Sequence, residues 1–457
     1  TIENISPIRV SAGQSIQAAI DSAAPGSLVL VGPGQYEELV VMWKPIRLQG
    51  AGAGSTVINA AKFPAEKLDA WRTKVQGLVD SQLVDLLPGQ NGVDGVPLIG
   101  PGLLGDEEGA GVTVLGKADP NNGNPGPNSY RFLPSSIDGF SITGGDSGGG
   151  IFVNGYAHGL QIANNSVYGN AGFYHGGIRV GHPNLEALTG TGPFDFNSRI
   201  SIHHNSITTN GSVSTGAAGG GVSLCTGADN YHVNYNFICG NFSNGHGGGI
   251  GHYGLSNGGE IANNQILFNQ SFDQGTSQSG GGIFVGGEQP LGGGLTLGAG
   301  DVTIDSNLIQ GNQAGAGHGG GIRLQEYNGQ DVQRRPGAVN QWWRPTITNN
   351  MIVNNVAGWA GAGISLQDTA NSTISNNTIV HNDSTSTVGN TFTAGANTSV
   401  KQPAGISSDL HSTALAGVFG NGNNTLAYRV FSNPTLTNNI IWQNRSFNYD
   451  APGGDAA

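Results

Sequence analysis

The chain has 457 residues, 79 of them glycine, with 11% charged residues, 7% aromatics and a formal net charge of −12. Glycine without a Gly-X-Y period excludes collagen, regular apolar residues between the glycines argue against disorder, and the acidic balance makes nucleic acid and anionic membrane poor partners. The sequence contains no run of apolar residues long enough to span a bilayer, and it opens on Thr1 without a visible leader, which reads as a mature or trimmed product.

Residues 14–24 place Ile16, Ala19 and Ile20 at helical spacing and stop at Pro25-Gly26. This predicts a short amphipathic helix suited to covering the open end of an apolar column. Strand-like pieces follow at Leu28–Val31, Leu39–Val41, Ile46–Leu48 and Val57–Ile58. Residues 61–130 then interrupt the pattern: Leu68, Trp71, Val75, Leu78, Val79 and Leu83 predict a helix within 65–87, followed by a Gly/Pro-rich loop. We read this stretch as an insertion packed on the wall of a single domain spanning 1–457, with a second long excursion at 385–430.

From residue 165 onward one pattern, Asn-x-(Ile/Val)-x-x-Asn, occurs eight times, beginning at Asn165, Asn205, Asn236, Asn264, Asn307, Asn350, Asn377 and Asn439. Between its copies sits a glycine run followed by apolar residues at i and i+2, as in Gly148 to Val153, Gly176 to Val180 and Gly319 to Leu324. Period two marks a strand with one buried face, and variable spacing around a constant motif means constant strands joined by loops of changing length. Such strands bury a core only when coil stacks on coil, each strand pairing in parallel with its equivalent about 4.8 Å away. Asn at the corners is expected to bond to the Asn above and below, and to occupy the left-handed backbone region there. The fold class is therefore all-β: a single right-handed parallel β-helix, a solenoid with an N-terminal capping helix and loop insertions.

The run SIQAAIDSAAPGSLVLVGPGQYEELVV, continued by KPIRLQGAGAGSTVINA, resembles the opening coils of the pectate-lyase-like right-handed β-helix superfamily, and the later coils resemble its generic repeats. The resemblance covers nearly the whole chain except 61–130 and 385–430. It implies a parallel β-helix and, for the enzymes among its members, a polysaccharide groove on the outer face of stacked strands. It does not single out an activity, because this scaffold carries lyases, hydrolases, epimerases, adhesins and tailspikes. The clustered aspartates with a basic residue of its calcium-dependent lyases have no counterpart here, and no lysine occurs between Lys117 and Lys401. Gly-His-Gly, a mark of its polygalacturonase-like hydrolases, stands at 245–247 and 317–319, but the accompanying aspartates do not.

The residue after each strand's first apolar position is expected to point outward, which selects Arg179 and Arg323, four coils or roughly 19 Å apart. Between them lie His246, His252 and Tyr253, the candidate acid–base groups; a histidine at a glycine corner is more often a hydrogen-bonded turn residue. A metal site from His246, His252 and His318 is the weaker alternative. Two insertions, 181–199 and 325–344, offer binding surface, the second through Tyr327, Arg334, Trp342, Trp343 and Arg344; alternatively, the two tryptophans pin their loop to the barrel. Cys225 and Cys239 either close a disulfide or serve as small core residues. The expectation is a secreted or cell-surface solenoid that binds a polysaccharide or cell-surface glycan, alone or within a larger surface assembly, with calcium as the candidate ion. The alternative is a polysaccharide lyase or glycoside hydrolase acting on an acidic polysaccharide.

Overall fold

The computed structural model describes residues 6–90, 107–119, 126, 128–183, 185, 194–216, 218–272, 278–290, 292–419 and 427–450. These form a right-handed parallel β-helix whose coils build four parallel sheets. Sheet 1 runs from Ile8–Val10 to Thr435–Thr437 with 12 strands, and sheet 2 from Gly34–Tyr36 to Ile440–Trp442 with 11. Sheet 3 has 8 two-residue strands, from Ala171–Gly172 to Arg445–Ser446, and sheet 4 has 10, from Val40–Met42 to Ile406–Ser408. From Gln161–Ala163 onward each repeat passes through sheets 1, 2, 3 and 4 in turn, whereas among the described residues the earlier coils have no strand in sheet 3. Pairing is in register along sheet 2, where Val167, Ile207, Ile238, Ile266, Ile309, Ile352, Ile379 and Ile441 stack in one column. All but Ile441, on the last described coil, are fully buried. Each such side chain contributes about 1.5–3 kcal/mol by leaving water.

The two asparagines of each motif form two continuous ladders. The amide of Asn165 donates to Oδ1 of Asn205, that of Asn205 to Asn236, and so on to Asn439. The second ladder runs likewise from Asn170 to Asn444. One part of the expectation is corrected. The left-handed residue is not the ladder asparagine but the one before it: Asn164, His204, Tyr235, Asn263, Ser306, Asn349, Asn376 and Asn438 have φ between 54° and 59°. The preceding residue makes the bend, so the ladder asparagine is free to turn its amide inward between coils.

At the N-terminal end Ile16–Ser22 is helical and lays Ile16 and Ile20 on the core. Ser15 caps it through Ala18 N–H, and the Glu38 carboxylate accepts from the N–H groups of Ile16 and Gln17. The second helix is Glu66–Asp80; its Trp71, Val75 and Leu78 pack against Leu39, Val41, Leu115 and Phe152 on the outside of sheet 4. The 61–130 stretch is not wholly outside the coils, because Val112–Leu115 returns to sheet 4 between Val40–Met42 and Ile151–Gly155. In the same way Ile406–Ser408 rejoins sheet 4 from within 385–430. Parts of both stretches, 91–106, 120–125, 127 and 420–426, lie outside the described residues.

Candidate functional site

The outer row of sheet 4 passes through Phe152, Arg179, Ser223, Gly251, Phe284, Arg323, Ser365 and Ser407, as the register of paired strands requires. The period-two reading of direction therefore holds, but direction does not bring exposure. Segments from the neighbouring corners close over the row, and Arg179 and Arg323 are both buried. Arg179 pairs with Glu107, donates through Nε to Gly181 O at 2.8 Å, and lies against the rings of Phe152 and Tyr174. Its burial is a correction to the reading of an accessible cation.

Arg323 is the floor of an open cavity of about 430 Å³ lined by His318, Trp359, Gln367, Gln402, Ser408, Asp409 and Leu410. Its NH1 donates to Ser365 Oγ at 2.6 Å and Asp409 Oδ2 at 2.7 Å; NH2 donates to Gln367 Oε1 at 2.7 Å and Nε to Gln325 Oε1 at 3.3 Å. Ser407 donates to Ser365 Oγ at 2.8 Å, tying a further coil into the network. Arg323 thus holds Asp409 and Gln367 in place at the cavity floor. The His318 ring stacks on Trp359 with centroids 4.3 Å apart and planes at 27°, and its Nδ1 stands 3.6 Å from Asp409 Oδ2. Burial, reinforced by the Arg323 charge, lowers the His318 pKa to about 3, so the ring is neutral across the ordinary pH range. The lining therefore carries one cation and one anion that cancel, a neutral imidazole, an indole face, two side-chain amides and hydroxyls.

The other anticipated residues are placed as follows. His252 is not on the outer face. It occupies the inward row with Leu224 and Val285, and its buried ring bridges Tyr231 OH at 2.9 Å and the carbonyls of Gly254 and Ala299 at 2.9 and 3.0 Å. Two carbonyls at Nε2 place the proton there, so Nδ1 accepts from Tyr231; desolvation lowers the pKa to about 4. His246 stacks on Phe284 at 4.1 Å and accepts from Ser279 N–H at 3.1 Å, with its pKa lowered by burial to about 3. Tyr253 is half-buried near Phe284, its hydroxyl 3.5 Å from the Gln289 N–H. The structure thus separates His246, His252 and Tyr253 by function of their positions: corner, interior and rim. His246, His252 and His318 do not converge, and among the described residues no group of three or more metal-ligating side chains is assembled.

The 325–344 loop is pinned from within. Tyr327 is buried, donates to Gly300 O at 2.5 Å and accepts from Val302 N–H at 3.1 Å. Trp342 is buried with Val332, Leu415 and Phe419, and bonds Arg335 O at 2.8 Å; Trp343 bonds Leu297 O at 3.0 Å. Neither indole is a free sugar platform; Arg334, bonded at 3.1 Å to Gln330, and Arg344 are the exposed members of the set. Both anticipated loops spring from the corner between sheets 4 and 1, after Val180 and after Gln325. Residues 184 and 186–193 of the first, Glu186 included, lie outside the described residues.

Sequence reasoning missed Trp359, Gln367 and Asp409. Trp359 precedes a glycine corner equivalent to those of His246 and His318, and Asp409 follows the weak Gly405-Ile406 strand motif. Aligning the coils would have set Asp409 beside Gln367, two residues past the Arg323–Ser365–Ser407 row. A larger hollow of about 640 Å³ near Leu295 and Val418 has no charged side chain among the described residues of its wall. A smaller one of about 220 Å³ includes Glu326 and Asp368, and burial together with the Asp368 charge raises the Glu326 pKa.

Cys225 and Cys239 are both free thiols, which settles that alternative: Cys225 lies in sheet 4 and Cys239 in sheet 2. No family model matches this chain, no curated protein matches its sequence, and no solved structure matches its fold.

Proposed function

We propose that this chain is an extracellular glycan-binding β-helix of the pectate-lyase-like kind, and that its sugar site is the cavity above Arg323. The observation that carries the reading is the Trp359–His318 stack beside a carboxylate and an amide already oriented by Arg323. An indole face suits the C–H face of a pyranose, and fixed carboxylate and amide groups suit its hydroxyls, with little ordering cost on binding. The balanced charge of the lining favours a neutral sugar over a uronate.

Binding is favoured over cleavage by the same geometry. Paired-carboxylate hydrolysis needs two carboxyl groups flanking the bond, and among the described lining residues Asp409 is the one carboxylate. Uronate elimination needs a cation free to neutralise the sugar carboxylate, and the Arg323 charge is already paired with Asp409, with four of its five N–H groups donating within the protein. Calorimetric titration with neutral and uronate oligosaccharides, alongside assays for unsaturated products and new reducing ends, tests the reading. Saturable binding of a neutral oligosaccharide without turnover supports it; turnover, or no binding by either class, overturns it.

A further inference from the structure

A second interaction surface lies on another face of the rod. The segments that cross sheet 2, its corner and sheet 3 in six successive coils, 166–172, 206–212, 237–243, 265–271, 308–314 and 351–357, contain no Asp, Glu, Lys or Arg. Charge returns only in the flanking coils, with Asp146 before and Asp383 and Arg445 after. Five coil steps make this uncharged face roughly 24 Å long.

The face is not simply polar. Phe237, Phe242 and Phe268 stand on two adjacent coils and are exposed, Phe242 by 42% and Phe268 by 60%. Two of these rings are seated on bare glycine. A Cβ at Gly211 would meet Phe242 Cζ at 2.0 Å, and one at Gly311 would meet Phe268 Cε1 at 2.5 Å. Each ring thus rests on the backbone of a neighbouring coil, held on one side and open to water on the other. Around them the outward positions mix hydroxyls and amides, Ser206, Thr208, Gln265, Gln270, Gln310 and Gln313, with the apolar Leu267, Leu308, Met351 and Val353.

We infer that this face docks on an uncharged, ordered polysaccharide, with Phe242 and Phe268 as stacking platforms. The complementarity is one of charge and of group type. A neutral polymer offers neither sign of charge, so charged side chains here would be desolvated without a partner, and none is present. Held rings match the C–H faces of its sugars, and the amides and hydroxyls match its hydroxyl edges. A second copy of this chain fits less well, because stable dimer interfaces have a contiguous apolar centre, and here Gln265 separates Phe237 from Leu308 and Met351 while Gln270 and Gln313 follow Phe242 along its row. The inference is independent of the sheet 4 cavity, which is on a different face and rests on different residues.

Co-sedimentation with microcrystalline cellulose and crystalline chitin, against a polygalacturonate gel, tests it. Wild type is expected to sediment with at least one neutral polymer, and to do so unchanged in about 1 M salt. The pair Phe242→Ala/Phe268→Ala should bind about tenfold more weakly, and Phe242→Tyr/Phe268→Tyr should bind like wild type. Phe237→Lys, which only adds charge at an exposed position, should weaken binding comparably and serves if the alanine pair fails to fold. Binding to neither neutral polymer, binding confined to the acidic gel, or full binding by both Phe242→Ala/Phe268→Ala and Phe237→Lys overturns the inference. So does a wild-type dimer in sedimentation velocity that either variant converts to monomer.

Discussion

Asn307 meets one oxygen of Asn350 twice: its side-chain amide donates to Asn350 Oδ1 at 3.0 Å and its backbone N–H donates to the same atom at 2.9 Å. Its own Oδ1 accepts the same pair of bonds from Asn264, and its Nδ2 also reaches Ile261 O at 2.9 Å. Every coil boundary from Asn165 to Asn439 repeats this double contact, so a change at one rung disturbs three coils.

Replacing Asn307 by alanine should therefore destabilise the fold by about 3 kcal/mol, since buried groups left unpaired cost about 1–3 kcal/mol each. Asn439→Ala, at the last described rung, should cost less than half as much. Urea unfolding followed by circular dichroism separates the two. Equal midpoints for Asn307→Ala and wild type would remove the ladder from the list of stabilising features.

His252 makes folding sensitive to acid. Its folded pKa, lowered by burial to about 4, lies below the ordinary histidine value of 6.5. Between those values the unfolded chain binds the proton and the folded chain does not, so stability falls as pH drops from about 6.5 towards 4. The loss from this one group is of order 3 kcal/mol. His246 and His318 act in the same direction, with folded values near 3. Because leucine already fills this row at Leu224 and Leu324, the double change His252→Leu/Tyr231→Phe should fold and show a shallower loss of stability over that pH range. An unchanged pH slope would show that His252 titrates normally.

Trp359→Ala should weaken binding of a neutral oligosaccharide at the sheet 4 cavity about tenfold with little change in unfolding midpoint, because the indole is half-buried on the cavity wall. Arg323→Ala should behave differently. It leaves Asp409, Ser365 and Gln367 without their common donor, so a stability loss of about 3–5 kcal/mol is expected along with the loss of binding. A calorimetric titration paired with thermal unfolding distinguishes a contact residue from a positioning residue.

The free cysteines predict a two-class thiol titration. Cys239 is half-buried and should react slowly with an aromatic disulfide reagent in the native protein. Cys225 is buried with its thiol pushed up to about 11 by desolvation and should react only after unfolding. Reductant should not shift the unfolding midpoint. Two fast thiols in the native state would contradict the burial of Cys225.

The solenoid, the strand faces and the asparagine ladders were legible in the sequence because each depends on short-range periodicity repeated many times. One Asn-x-Ile-x-x-Asn segment is ambiguous, but eight of them must share one geometry or lose the common core. That redundancy is absent from the candidate site. Arg323, Trp359, Gln367 and Asp409 are spread over 87 residues and meet only because Arg323–Ser365–Ser407 pair across successive coils. Periodicity predicted which way Arg179 and Arg323 point, but not that segments beyond their own strands would cover them. Direction is a property of the strand; accessibility is a property of everything packed over it. For the same reason His252 was legible as the residue two steps past Ile250, the first apolar position after a glycine run, whereas its burial against Tyr231 and Ala299 was decided by coils on either side. Local backbone geometry, repeated, determined the scaffold; the long-range packing of insertions on that scaffold decided which of its polar groups meet solvent.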